Sequence, residues 1–289
     1  MIINIRYHIV SIVAVFLALG IGILVGSMII GSGTLSNQQQ QLAERLEKHL
    51  TELRQENALT RERLSSLEME TQLQKQFTKD ILPFLINGRL EGRKVAIVET
   101  SPFPPTGDLK PVLEMAGAKV TSVTTITNGL AVAERKGELL SITKWQDTSD
   151  TKLVRRTASA LAQAVLEGKT PLVEYLAQEE LINVIGEYGV PVDSVVMVGG
   201  GYDKDRDIIT DVDITMINYF VDHRIAVYGA EESTVTNSYM KEYQRRCKAT
   251  VDNIDMVAGQ FALVMAISGK PGDYGVKETA DRLIPPFHE

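Results

Sequence analysis

The chain has 289 residues, 44% of them hydrophobic, with a formal net charge of −7. The acidic balance, with no Lys/Arg block, argues against nucleic acid as a partner. One cysteine, Cys247, excludes an intrachain disulfide and a thiol-rich metal site, and the four histidines (His8, His49, His223, His288) are scattered.

The first element is apolar. From Tyr7 to Ala43 there is no Asp, Glu, Lys or Arg. The run from Ile9 to Ile30 would form a helix of roughly 33 Å, enough to cross a hydrocarbon core of about 30 Å. Gly26-Ser27 is followed by more apolar residues, Met28-Ile29-Ile30, which argues for a retained anchor over a cleaved signal. Arg6 precedes the span and Glu44 is the first charge after it. The positive-inside rule then places residues 1–8 in the cytoplasm, 9–31 in the membrane and the bulk of the chain outside the bacterial cell membrane. Ala14, Ala18, Gly22 and Gly26 put a small residue every four positions, the pattern of a close-packed transmembrane dimer face.

The second element, over 32–86, reads as a stalk. Between Thr34 and Asp80 there is no Pro or Gly, and strong helix formers dominate. Leu50, Asn57, Leu64 and Thr71 fall at heptad position a, and Leu46, Leu53, Thr60, Leu67 and Gln74 at d. In a parallel pair each g residue faces the e residue five positions on in its partner. Glu56 then faces Arg61, Arg63 faces Glu68, and Glu70 faces Lys75, all attractively. Each such exposed pair contributes only about 0.3–0.5 kcal/mol, so the pairs select orientation more than they stabilise. Asn57 at an a position also favours a two-stranded, in-register parallel pair. Gly31-Ser32-Gly33 is expected to form a flexible joint between span and stalk, and Pro83 with Asn87-Gly88 to end the stalk helix.

Residues 87–289 alternate strands and helices. Strands are expected at about 94–99, 119–126, over SVVMVGGG and over RIAVYGAE, and helices near 109–116, 151–167, 172–188, 214–223 and 256–268. The pattern predicts a three-layer, Rossmann-like α/β head with a mostly parallel sheet. Together with the anchor and stalk this gives four segments: 1–8, 9–31, 32–86 and an extracytoplasmic domain over 87–289.

No motif supports catalysis. Gly199-Gly200-Gly201 follows a strand but completes neither GxGxxG nor a Gly-Lys-Ser/Thr ending, and the loop SPFPPTGD has two prolines that lack donors. A tight turn is the better reading of the triple glycine. Asp203-x-Asp205-x-Asp207 resembles the start of a calcium loop, but Ile208 and Ile214 stand where Gly and Glu are needed, so a solvated acidic turn is expected. There is no GxSxG, HExxH or CxxC. His223 reads as a surface or capping residue. Glu231 and Glu232, at the carboxyl end of a strand, are candidate partner contacts. No catalytic, cofactor-binding or metal-ligating residue is assigned, and a non-enzyme is expected.

RYHIVSIVAVFLALGIGILVGS, the coiled coil, LINGRLEGRKVAIVET, GDYG and DRLIPP occur in that order. Together they resemble the MctB-like copper transporter family of bacterial envelope proteins. The resemblance implies a role in copper transport or homeostasis. Its SteB-like members imply instead a scaffold or regulatory partner in envelope assembly and division, acting on peptidoglycan hydrolysis. Copper is not supported by the ligand residues: copper(I) prefers Cys and Met and copper(II) prefers His, and the nine Met residues form no MxM or MxxM run. A membrane-anchored homodimer with a protein partner is the expected assembly.

Overall fold

The computed structural model describes residues 5–100, 109–127, 130–146, 149–201 and 209–286, with backbone only at 5 and 30–37. The loop SPFPPTGD and the acidic run from Asp203 to Asp207 lie outside the described residues. The chain divides into two compact units, Met1–Gln74 and Lys75–Glu289.

One helix, α1 (Ile5–Ile86), supplies all the described structure of the first unit. It contains the stretch Arg6–Ile29, which is long and apolar enough to cross a membrane and has no buried residue. The helix passes through Gly31–Gly33 without a break, so the joint expected there is not a helix end. Two glycines lower helix propensity by about 1 kcal/mol each without forbidding the helix, and strong helix formers come after them. The heptad residues Leu46, Leu50, Leu53, Leu64 and Leu67 are all exposed. The Asn57 side-chain amide donates to the Leu53 carbonyl at 2.8 Å.

The last turns of α1 belong to the second unit. Leu82 and Ile86 are buried there, Pro83 stays inside the helix, and the chain turns at Gly88. Beyond the turn lies a seven-stranded sheet in the order β3-β2-β1-β4-β5-β6-β7. Its strands are β1 (Lys94–Glu99), β2 (Lys119–Ile126), β3 (Ile182–Gly186), β4 (Ser194–Gly199), β5 (Ala226–Glu231), β6 (Ala249–Val251) and β7 (Asp273–Tyr274). Every pairing is parallel except β2 with β3. The central strands β1 and β4 are continuous apolar runs because both of their faces are covered.

On one face, α3 (Lys136–Thr143), α4 (Asp150–Glu167), α5 (Pro171–Gln178) and α6 (Ile214–Asp222) bury Leu139, Leu161, Leu176 and Phe220 against the sheet. On the other, the end of α1, α2 (Leu109–Met115) and α8 (Val257–Ser268) bury Ile86, Leu113 and Leu263. A short helix, α7 (Met240–Tyr243), comes after β5.

The long helix expected over 172–188 is instead α5 and then the antiparallel strand β3. Thr170 caps α5 through a hydrogen bond from Val173 N, and Pro171 opens it. Glu180 then adopts a left-handed conformation that turns the chain. Past this turn, the β-branched Ile182, Val184 and Ile185 favour a strand over a continued helix.

Candidate functional site

The chain leaves β1 for β2 and β3 on one side and returns through β4 on the other. Open α/β sheets place ligands at the carboxyl ends of strands beside such a reversal. Thr100, Gly199–Gly201, Glu231 and Asp252–Asn253 occupy this edge.

The chain itself fills the space at the triple glycine. A Cβ on Gly199 would overlap the Tyr243 hydroxyl and come within 2.9 Å of an Asp213 oxygen. Gly200 has φ +96°, and a Cβ there would lie 2.8 Å from Val235. Gly201 N donates to Asn237 O at 3.0 Å, and Asn237 N returns the bond to Gly201 O at 2.8 Å. The Gly201 donor is thus already engaged within the chain, and the glycines serve close packing.

Beneath them is a sealed polar cluster. Asp213 begins the turn into α6 and is fully buried. One of its oxygens, Oδ2, accepts from Thr100 Oγ1 at 2.8 Å and from the Tyr243 hydroxyl. The other, Oδ1, has no hydrogen-bond partner among the described residues. Burial pushes the Asp213 carboxyl up to about 7, against the pull of its two hydroxyl donors. Burial and the neighbouring Asp213 likewise hold the Tyr243 phenol well above its ordinary range. Gly229 on β5 leaves room for the same ring, since a Cβ there would approach Tyr243 Cδ2 to 2.5 Å. The cluster ties the ends of β1, β4, α6 and α7 together.

A second cluster lies at the ends of β5 and β6. Glu231 is completely buried, and Lys277 Nζ donates to its Oε1 at 2.7 Å. Ser238 Oγ donates to Oε1 at 2.5 Å and Tyr239 N to Oε2 at 2.8 Å. Asp252, also buried, accepts from Val276 N at 2.7 Å and Lys277 N at 3.0 Å, which holds the loop carrying Lys277 over the strand ends. Glu231 therefore does not serve as the surface contact expected of it, because its carboxylate is engaged inside the fold. Glu232 is half-buried, and its carbonyl accepts from Lys277 Nζ at 3.0 Å.

Motifs in the sequence do not single out Asp213, Tyr243 or Lys277. Glycines inside strands, Gly199 and Gly229, are the available signal for the first two, since such a glycine marks a close approach. No local signal points to Lys277. His223 caps the end of α6, its ring stacked on Tyr219 at 4.1 Å.

Two clefts open elsewhere on this unit. One, of about 340 Å³, runs along the β7 edge between Lys270, Asp273, Asp281 and Arg282. The other, of about 180 Å³, lies between the end of α1 and α8. On α1 itself, Ala14, Ala18, Gly22 and Gly26 lie along one stripe, and among the described residues nothing beyond the helix's own adjacent backbone comes within 4 Å of a Cβ built at Gly22 or Gly26.

A family model described as copper transport outer membrane protein, MctB, matches residues 2–285. The chain belongs to this family. No curated protein matches it. The MctB match covers nearly the whole chain, as the ordered motifs from RYHIV to DRLIPP imply. No group of three His, Cys, Asp or Glu able to hold a metal ion occurs among the described residues of this MctB member. Burial pushes the Cys247 thiol up to about 12, which disfavours the thiolate that a soft metal would bind. Lipid-facing barrel strands alternate apolar and polar residues, whereas β1 and β4 are covered on both faces.

Proposed function

We propose that this chain is a single-pass, dimeric envelope protein that serves copper homeostasis through a protein partner rather than by forming a conduit. Its anchor is the span within Arg6–Ile29, with the N-terminus cytoplasmic. A parallel coiled-coil stalk carries a non-catalytic, Rossmann-like head outside the membrane. The copper role comes from the family description.

The observation that carries the dimer is the state of the stalk charges. The side chains of Glu56, Arg61, Arg63, Glu68 and Lys75 make no ion pair or hydrogen bond within the described residues, beside a row of exposed heptad leucines. A second parallel copy would cover the leucines and pair the charges in one arrangement.

One membrane helix cannot enclose a pore, and the two strand-end clusters are occupied by the chain's own side chains. That favours an indirect part in copper handling. The same exposed stalk favours a second reading, a scaffold or regulatory partner in envelope assembly and division, as in SteB-like members.

A deletion strain tests the two. Under the copper reading, copper tolerance falls on deletion and returns with the full chain but not with a chain lacking residues 9–31. Unchanged tolerance together with a division defect would leave the scaffold reading. Cysteines at Leu53 or Leu64 are expected to cross-link between copies in native membranes, and their failure to do so would remove the dimer.

A further inference from the structure

The cleft between the end of α1 and α8 is apolar and open. Phe84, Leu85, Phe261 and Met265 line it, with Arg89 and Lys270 at its rim. Phe84 is 85% exposed, more than any other large apolar side chain among the described residues. Phe261 and Met265 are nearly buried, so they form the floor and Phe84 stands beside it. Lys270 Nζ is already engaged by the Pro286 carbonyl at 2.9 Å. The cleft thus lacks an apolar cover and has two cations at its edge, Lys270 and Arg89, whose Nε donates to the Leu85 carbonyl at 3.5 Å.

The heptad register identifies what would cover it. Counting on from Thr71 at a and Gln74 at d, Thr78 and Leu85 take a and Ile81 takes d. Leu85 lines the cleft, and Ile81 remains exposed although Leu82 beside it is buried in the head. In a parallel pair the twofold axis runs past the a and d positions, so whatever lies beside Leu85 meets a second copy. Phe77 and Phe84 take g, where Glu56, Arg63 and Glu70 stand lower down. The residue five on from Phe84 is Arg89. Arg89 lies beyond the helix end at Ile86 and past the turn at Gly88, which places its guanidinium at the rim of the cleft near Phe84, where it can meet an aromatic face.

We propose that this cleft is the contact between the heads of two copies, with Phe84 of each packing into the cleft of the other under Arg89. The proposal rests on the stalk pairing proposed above and extends it into the head. The contact is isologous, so it closes on itself and gives a dimer and no larger array.

Full-length protein in native membranes tests it, with a short bis-maleimide as cross-linker and the wild-type chain, whose Cys247 is partly buried against the core, as control. Leu64→Cys reports on the stalk and Leu85→Cys on the head contact. Both are expected to cross-link. Phe84→Asp is expected to lower the Leu85→Cys yield about tenfold while leaving the Leu64→Cys yield unchanged, as loss of one buried aromatic predicts. Because Phe84 is exposed in the single chain, that change leaves the head's melting temperature where it was. Cross-linking at Leu64→Cys without any at Leu85→Cys overturns the head contact and leaves the stalk pair standing. Cross-linking at Leu85→Cys that ignores Phe84→Asp overturns Phe84 as the anchor. No cross-link at Leu64→Cys overturns the stalk reading itself.

Discussion

The two units of this chain treat charge and glycine in opposite ways. In the head, Lys277 is committed to a buried glutamate, Asp213 to two hydroxyls, and Gly199 and Gly229 to the ring of Tyr243. In α1 of the first unit, Gly22 and Gly26 face open space, and Glu56, Arg63 and Glu68 pair with no side chain among the described residues. An element whose groups are satisfied internally contributes stability. An element whose apolar side chains stay exposed forgoes about 1.5–3 kcal/mol for each large one left in water. On the pairing proposed above, the head's carboxyl-end clusters serve folding and the helix serves recognition.

The sharpest way to break that division is Lys277→Met. The change leaves the Glu231 carboxylate buried with two hydrogen bonds but no cation. Losing one partner of a buried pair is expected to cost about 3 kcal/mol. Unfolding of the full chain in detergent, followed by Trp145 fluorescence, reads this out, since Trp145 lies in the head beside Arg156. Adding Glu231→Gln is expected to recover much of the loss. If Lys277→Met left the head stable but abolished a binding activity, the cluster would belong to recognition after all.

Gly199→Ala comes next. Its Cβ would overlap the Tyr243 hydroxyl in a fully packed region, an overpacking expected to cost about 2 kcal/mol. Tyr243→Phe removes the atom that is struck, so the alanine should cost less in that background. A cycle with no coupling between the two would show that the triple glycine answers to something other than Tyr243.

How much of the fold is legible in the sequence depends on whether the signal is local. β1 and β4 are apolar runs, VAIVE and SVVMVG, which read as buried strands because their neighbours in sequence say so. β6 and β7 have three and two residues and show no period. The helix expected over 172–188 joins an eight-residue helix to a strand, because Leu and Ile recur through both and the turn at Glu180 has no glycine to mark it. The clusters are harder still. Tyr243 and Asp213 are 30 residues apart and Lys277 and Glu231 are 46 apart, so only the folded sheet brings them together.

Asp213 also gives the head a pH dependence. Its carboxyl titrates near 7 when folded and near its ordinary 3.8 when unfolded. Between those values the folded state holds the extra proton. Stability therefore falls as pH rises through this window and levels off above about 7. Asp213→Asn mimics the protonated form and removes this contribution. The variant should gain on the wild type, by on the order of 1 kcal/mol or more, between about pH 5 and about pH 8. A gap that stays constant with pH would mean that the carboxyl is not the group that titrates.

The smallest effect on the head is expected from Leu64→Ala, and its smallness carries the information. Leu64 is exposed, so within one chain its loss removes no packing. The head's unfolding, read at Trp145, should stay within about 0.5 kcal/mol of wild type. The same change would remove an a-position leucine from the seam of a stalk pair, and intermolecular cross-linking through Leu53→Cys should then fall several-fold. Equal losses in both readouts would mean that the helix supports the head directly. A loss confined to cross-linking would separate the two units, with stability held in the sheet and association held in α1.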